Sequence, residues 1–279
     1  MTDANRIPLA CVIGAPVSHS RSPALHSYWL RRYGLRGHYI PMEIAQADLK
    51  QALQMLPKLG FVGANVTIPH KEAVLALADV VTDRAALIGA ANTLIFRKDG
   101  RLHADNTDGS GFVANLRQHA PQWNPASGPA AVFGAGGAAR AVVAALIEIG
   151  APEIRIANRT RPRAEAIRSD FGAKVVVYDW VQAANMLDGA RTVVNTTSLG
   201  MTGKPEFRVP LDALGAGMVV NDLVYAPLKT QLLIEAEAAG CKVVDGLGML
   251  LHQAAPGFER WFGKRPEVDD DTRRAVLAP

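Results

Sequence analysis

The apolar run Ala130-Ala131-Val132-Phe133 ends directly in Gly134-Ala135-Gly136-Gly137-Ala138-Ala139, which opens an alanine-rich stretch. Strand, glycine turn and helix in that order read as G-x-G-x-x-A, the start of a dinucleotide-binding unit. Gly134 permits the tight turn, and Gly136 lets backbone approach a pyrophosphate. Ala139 lets the helix pack close to the strand, while free N–H groups at the helix start favour an anion. About twenty residues on, where an acid usually holds the ribose of NAD, stands Asn158-Arg159-Thr160-Arg161-Pro162-Arg163, with no carboxylate before Glu165. Arginines at that place suit a 2′-phosphate, so the expected cofactor is NADP(H).

Five further short apolar runs follow, at 153–157, 174–178, 191–194, 218–222 and 241–244, separated by helix-like segments or loops such as 163–171 and 229–239. Six strands with crossovers of this length describe a doubly wound parallel sheet. Gly150 and Gly240 stand where helices of that scheme should stop.

At 279 residues the chain has room for two domains, and 49% hydrophobic with 20% charged residues is an ordinary globular balance. The net charge of +4 is spread without a basic tail, so no nucleic-acid partner is expected. No apolar run reaches membrane-spanning length, and residues 1–6 do not read as a signal peptide. Cys11 and Cys241, far apart in apolar settings, read as reduced thiols of a cytoplasmic protein, with a disulfide as the alternative. The histidines and cysteines supply no metal-ligand spacing, and no metal is expected. The turn-rich segment 121–129 reads as a connection between domains.

Ahead of it lies a second α/β pattern. Strands are expected at 10–13, 39–42 and 64–67, helices at 23–33 and 47–56, and a hairpin at 93–97 and 101–105. Three clusters stand out. In Ser18-His19-Ser20-Arg21-Ser22-Pro23, Ser22 is a natural N-cap with Pro23 as first helical residue, and hydroxyls at a helix N-terminus also suit a carboxylate. Gly63-Ala64-Asn65-Val66-Thr67-Ile68-Pro69-His70-Lys71 leaves a strand and places Lys71 at the start of an apolar helix, where a cation is slightly unfavourable and so points to a role. In Asp105-Asn106-Thr107-Asp108-Gly109, Thr107 or Asp108 can cap the helical stretch 112–119.

Together these residues resemble the NADP-dependent shikimate dehydrogenase family. The resemblance rests on residues 14–23 and 65–71, then Gly89-Ala90-Ala91-Asn92-Thr93, Asn106-Thr107-Asp108-Gly109 and the glycine turn. It continues through Asn158-Arg159-Thr160, residues 195–201, Tyr225-Ala226-Pro227, residues 245–250 and His252-Gln253-Ala254. It implies two α/β domains. One is a doubly wound Rossmann NADP-binding domain at 108–245; the other is a smaller mixed-sheet substrate-binding domain built from 1–107 and 246–279. A helix at 249–262 would make the return to the substrate domain.

The implied reaction is the reversible reduction of 3-dehydroshikimate to shikimate, a step toward aromatic compounds. By the same resemblance Ser20 and Ser22 would hold the substrate carboxylate, and Thr67, Asn92, Asp108, Tyr225 and Gln253 would contact its hydroxyls or shape the pocket. Lys71 and Asp108 would form the polar pair at the reacting oxygen. Gly134, Gly136, Gly137 and Ala138 would lie along the pyrophosphate, Asn158, Arg159, Thr160 and Arg163 would address the adenosine phosphate, and Gly246 and Met249 would lie near the nicotinamide. Ala104 and Thr196 stand where many relatives have glycine and alanine. Two rivals are an enzyme that also takes quinate with NAD, and a non-catalytic NADP(H) sensor. Monomer and homodimer are both open.

Overall fold

The computed structural model describes residues 6–278; the stretch 1–5, most of the segment expected not to be a signal peptide, lies outside the described residues. In chain order the elements begin with β1 (Leu9–Gly14), α1 (Ser22–Arg32), β2 (His38–Glu43), a 3-10 turn and α2 (Leu49–Met55), and β3 (Phe61–Val66). A short 3-10 helix at Ala73–Leu77 precedes β4 (Val80–Val81), α3 (Asp83–Ile88), β5 (Thr93–Phe96) and β6 (Leu102–Asp105). Next come α4 (Asp108–His119), β7 (Ala130–Phe133), α5 (Gly137–Glu148), β8 (Ile154–Ala157), α6 (Arg161–Phe171) and β9 (Val175–Tyr178). The chain ends with β10 (Thr192–Asn195), β11 (Val219–Asp222), α7 (Gln231–Ala238), β12 (Lys242–Val244), α8 (Leu247–Phe262) and α9 (Asp270–Leu277).

Two compact units result, one formed by the chain up to Thr107 and from Leu250 onward, the other by Asp108–Met249. The first carries a mixed six-stranded sheet in the order β2-β1-β3-β5-β6-β4. Its β1 is parallel to both β2 and β3, while β5 is antiparallel to β3 and β6. One face buries Cys11, Ile13, Ala64 and Leu94 under Leu49 and Leu53 of α2 and Leu56 at its C-cap. The other buries Ala10, Val12 and Tyr39 against Trp261 of α8.

The second unit carries six parallel strands in the order β12-β11-β10-β7-β8-β9. The single strand β7 shows why its sequence is apolar throughout. Ala130 and Val132 face a core with Val142, Leu146 and Ile154, whereas Ala131 and Phe133 face a second core with Met186, Val220 and Leu233. A parallel strand covered by helices on both faces has no polar side to show. Gly150 and Gly240 each follow a helix at positive φ, 96° and 84°, as stop signals should.

Several local expectations need correction. Arg21, not Ser22, is the N-cap of α1, and Ser22 is its first helical residue. Pro23 tolerates this shift because the N–H groups of the first turn have no helical acceptor to lose. Lys71 does not open an apolar α-helix; it precedes only the 3-10 helix at Ala73–Leu77. The helix expected at 112–119 begins at Asp108, and β4 and α3 were not anticipated. By packing within each unit, the first unit resumes at Leu250 and residues 246–249 group with the second. These residues pack closely there: a Cβ on Gly246 would stand 2.2 Å from the Leu223 carbonyl oxygen, and one on Gly248 would stand 1.8 Å from Asn115 Oδ1. Cys11 and Cys241 are both buried and free. Among the described residues no helix is long and apolar enough to cross a membrane.

The C-terminal return is held by specific contacts within the first unit. Trp261 Nε1 donates to the Leu94 carbonyl at 3.0 Å, passing over Gly63. A Cβ on Gly63 would lie 1.9 Å from that indole nitrogen and 2.4 Å from the Leu94 oxygen. Arg32 of α1 grips Asp269, the N-cap of α9, through two bonds of 2.9 and 2.8 Å and so holds its carboxyl well below the usual carboxylate range. We expect Gly63→Ala to destabilise by about 3 kcal/mol, the upper range for overpacking against a backbone that cannot yield. Urea unfolding of the variant beside the parent protein measures it.

Candidate functional site

In the first unit one buried amide, Asn92, is bonded to Gln253, another of the expected substrate residues, and to Thr107, Asp105 and Val66, which were not among them. Its N–H donates to the Asp105 carbonyl at 3.0 Å, and its own carbonyl accepts from Val66 N–H at 2.8 Å. The side-chain oxygen accepts from Thr107 N–H at 2.8 Å, and Nδ2 donates to Gln253 Oε1 at 2.9 Å. Thr107 Oγ1 in turn donates to the Gln253 carbonyl at 2.8 Å. Three distant segments of chain, the ends of β5 and β6 and the middle of α8, are thereby tied at one point. A buried amide demands such a set, because each group left unpaired costs about 1–3 kcal/mol.

Lys71 and Thr67 lie on the loop that leaves β3. Thr67 N–H donates to the Ile13 carbonyl at 2.9 Å, and Ala91 N–H donates to the Lys71 carbonyl at 2.7 Å. Lys71 is therefore anchored through its backbone one residue from Asn92, with its side chain half-buried. Gly14 makes room for this loop, since a Cβ there would stand 2.4 Å from Thr67 Cγ2. At the start of α1, Ser20 Oγ accepts from Ser22 N–H at 3.3 Å, and Ser22 is buried.

Two residues that the sequence left without a role complete this polar layer. Tyr39 OH donates to Asn65 Oδ1 at 2.7 Å, and Asn65 Nδ2 donates to the Asn92 carbonyl at 3.1 Å. Burial pushes the Tyr39 phenol well above its ordinary value, with the nearby Ser22 hydroxyl acting in the opposite sense. Tyr39 also stacks flat on His26, with ring centroids 3.9 Å apart. Burial lowers His26 to about 3, so the ring is a neutral packing group at physiological pH. An asparagine inside the apolar strand β3 was the available signal for Asn65. Tyr39 offered none, because its partner is supplied by a neighbouring part of the sheet.

In the second unit the glycine turn follows β7, next to β10 where the strand order reverses, the usual crevice for a dinucleotide. Gly134 has φ 109°, and a Cβ there would lie 2.5 Å from Thr196 Oγ1. Gly136 is the N-cap of α5, and a Cβ built on it meets nothing within 4 Å. The N–H groups of Gly137 and Ala138, in the first turn, have no carbonyl within the helix to bond. After β8, Asn158 Nδ2 donates to the Thr160 carbonyl at 2.8 Å and shapes the turn, and Thr160 caps α6 without a side-chain bond. Arg161 is committed to Glu165 and Asp179, at 2.8 and 2.6 Å. Arg159 and Arg163 are exposed and, among the described residues, paired with no carboxylate. The first turn of α6 thus holds cations and no acid, an arrangement the helix dipole disfavours until an anion arrives.

Tyr225 is half-buried in the segment after β11. That segment is held by Asp222, whose carboxylate accepts from Asn195 Nδ2 at 2.9 Å, Val224 N–H at 3.0 Å and the Thr230 hydroxyl at 2.7 Å. Gly246 is required by its approach to Leu223, and Met249 packs in the core with Val219 and Val244. Asp108 opens α4, in the second unit, whereas Lys71 belongs to the first. Among the described residues no three His, Cys, Asp or Glu side chains group as a metal set.

Burial raises Asp222 to about 6, against the pull of its three donors. A carboxyl whose folded pKa exceeds its unfolded one favours folding most below about pH 4, and loses that contribution as pH rises through about 6. We expect this group to cost up to about 3 kcal/mol across that window. Thermal melting from pH 4 to pH 7 should show a decline that Asp222→Asn flattens.

Residues 12–94 match the family described as shikimate dehydrogenase substrate binding domain, 119–201 the shikimate / quinate 5-dehydrogenase family, and 246–277 the shikimate 5'-dehydrogenase C-terminal domain. The shikimate dehydrogenase (NADP(+)) of Cereibacter sphaeroides strain KD131 is 77% identical over 278 residues, covering 100% of both chains. Among solved structures, shikimate 5-dehydrogenase from Thermus thermophilus in complex with NADP(H) and shikimate is 39% identical. Its TM-score is 0.85, with coverage of 96% of this chain and 99% of that one. Quinate dehydrogenase from Corynebacterium glutamicum in complex with NAD is 33% identical at a TM-score of 0.90, covering 98% and 99%. With its glycine turn at a strand-order reversal, its Asn92 polar layer and full-length identity of this degree, the chain belongs to the shikimate dehydrogenase family.

Proposed function

We propose that the chain carries out the reversible NADPH-dependent reduction of 3-dehydroshikimate to shikimate, with Lys71 and Asp108 as the polar pair at the reacting oxygen. The observation that carries this reading is the polar layer centred on Asn92, in which a carboxamide, a hydroxyl and the Gln253 amide are held rigidly. Such a surface suits a small polyhydroxylated ring better than an apolar substrate. Thr67, Asn92 and Gln253 would meet ring hydroxyls, with Asp108 and Tyr225 completing the set, and the Ser20 and Ser22 hydroxyls would take the carboxylate. The part of the chain up to Thr107 and from Leu250 is then the substrate-binding domain, and Asp108–Met249 the NADP-binding domain.

The residues of the second unit fit NADP(H). Open space over Gly136, the unpaired N–H groups of Gly137 and Ala138, and the free guanidinium groups of Arg159 and Arg163 suit a pyrophosphate and a 2′-phosphate. Asn158 and Thr160 shape that pocket, and Gly246 and Met249 would border the nicotinamide. When bound, the dinucleotide supplies or accepts the hydride. The chain's own task is to meet the negative charge that develops on the ketone oxygen as the carbon is reduced. The Lys71 ammonium would stabilise that charge and donate the proton, becoming the amine; in the reverse direction the amine takes the hydroxyl proton back. Asp108 would orient the lysine and hold the substrate hydroxyl.

A second reading, quinate oxidation with NAD, is favoured by the likeness to the Corynebacterium glutamicum enzyme. The acid-free turn at Asn158–Arg163 weighs against it. We place this chemistry in the cytoplasm, without a nucleic-acid or membrane partner, in a monomer or homodimer.

Initial rates at the NADPH absorbance band, with shikimate and quinate each offered NADP and NAD, test the reading. Strong reduction of NADP by shikimate alone supports it, and comparable efficiency with quinate and NAD overturns it. We expect Lys71→Ala to lower kcat by roughly two to four orders of magnitude while leaving the melting temperature intact. Replacing Arg159 and Arg163 together by glutamate should raise KM for NADP by about 10- to 100-fold, the scale of one lost charge-assisted contact, and leave KM for NAD nearly unchanged.

A further inference from the structure

The second unit has a depression of about 570 Å³ at the edge of its sheet opposite the glycine turn. Its floor is formed where β10, β11 and β12 begin, by Met218 and Val219, and one wall is Trp123. Strands here are four residues long, which puts the depression about 13 Å from the turn at their other ends. Its volume lies in the range of small-molecule sites.

Three observations give it a chemistry. Trp123 is pinned rather than loose, because its Nε1 donates to Thr192 Oγ1 at 2.9 Å and its ring meets Phe112 edge-on at 6.3 Å. The lining includes two cations, Arg191 and Lys242, and no carboxylate. Among the described residues neither cation pairs with an acid. Arg191 is instead cradled by glycines: a Cβ on Gly128 would stand 2.6 Å from its Cγ, and one on Gly217 would stand 3.0 Å from its Nη1. The guanidinium is thus laid along the rim beside Gly217, with its hydrogen-bond donors unspent.

We propose that this depression is a second ligand site, taking a small organic carboxylate on a flat apolar ring. The ring would lie against Trp123, Met218 and Val219, and the carboxylate would be gripped by Arg191, with Lys242 adding charge. The depression belongs to the second unit, whereas the serines proposed for the substrate carboxylate belong to the first, and it does not depend on the reading of the reaction.

The test uses the full chain labelled with nitrogen-15 and follows the indole N–H resonance of Trp123, assigned through Trp123→Phe. The probes are 2-naphthoate and 4-hydroxybenzoate, with 2-naphthamide as the uncharged control. We expect saturable shifts of the Trp123 resonance with dissociation constants below about 1 mM, at least tenfold weaker for the amide, and unaffected by saturating shikimate. Arg191→Ala should weaken 2-naphthoate at least tenfold and Lys242→Gln less, and both exposed substitutions leave the remaining spectrum in place. Absence of saturable binding of either acid up to about 10 mM overturns the proposal. So does equal affinity for acid and amide, full affinity in Arg191→Ala, or displacement by shikimate.

Discussion

A single side-chain amide, Asn92, holds the working parts of the first unit together. It bonds to Thr107 at the end of the hairpin and to Gln253 in α8, while its backbone receives Val66 and reaches Asp105. None of these partners is close to it in sequence except through the hairpin, and Gln253 lies 161 residues away. Burial makes the arrangement obligatory, since an amide without water must find every partner inside the protein. The fold of the first unit and the order of its polar layer therefore rest on the same hydrogen bonds. Tyr39 and Asn65 extend this layer toward Ser22, and the neutral His26 ring fills the apolar space behind it.

The second unit solves a different problem with backbone and charge. Its central strands are sealed on both faces, so the positions left for chemistry are the strand ends and the turns that follow them. There the helix start at Gly137 leaves N–H groups without carbonyl partners in the helix, and Arg159 and Arg163, which among the described residues pair with no carboxylate, stand at the start of α6. Both features are unfavourable in isolation and become favourable around a phosphorylated dinucleotide. Arg161 shows the contrast: it is committed to Glu165 and Asp179 in surface ion pairs.

Much of this was legible because periodic apolar runs and glycine positions are local signals. All six strands of the second sheet were recognisable, since each is a short run dominated by apolar residues, entirely so in β7, and ends in glycine or polar turns. Boundaries were harder. The start of α1 moved by one residue because Pro23 is as comfortable at the second helical position as at the first. The stretch after Lys71 has the apolar content of a helix, yet it closes only a 3-10 turn before β4 draws the chain back to pair with β6. The roles of Tyr39 and Asn65 were hidden because a buried polar partnership depends on which strands lie side by side.

By itself the sequence determined the chemical vocabulary: a glycine turn after an apolar strand, arginines in place of an acid, hydroxyls at a helix start, and one lysine after a proline. Those features act over a few residues, where covalent geometry and the helix dipole decide the outcome. Tertiary structure alone decided which arginines stay free, which amide gathers the polar layer, and why Gly63 must lack a side chain beneath Trp261. These outcomes depend on segments far apart in the chain competing for the same buried space, and local patterning carries no record of that competition.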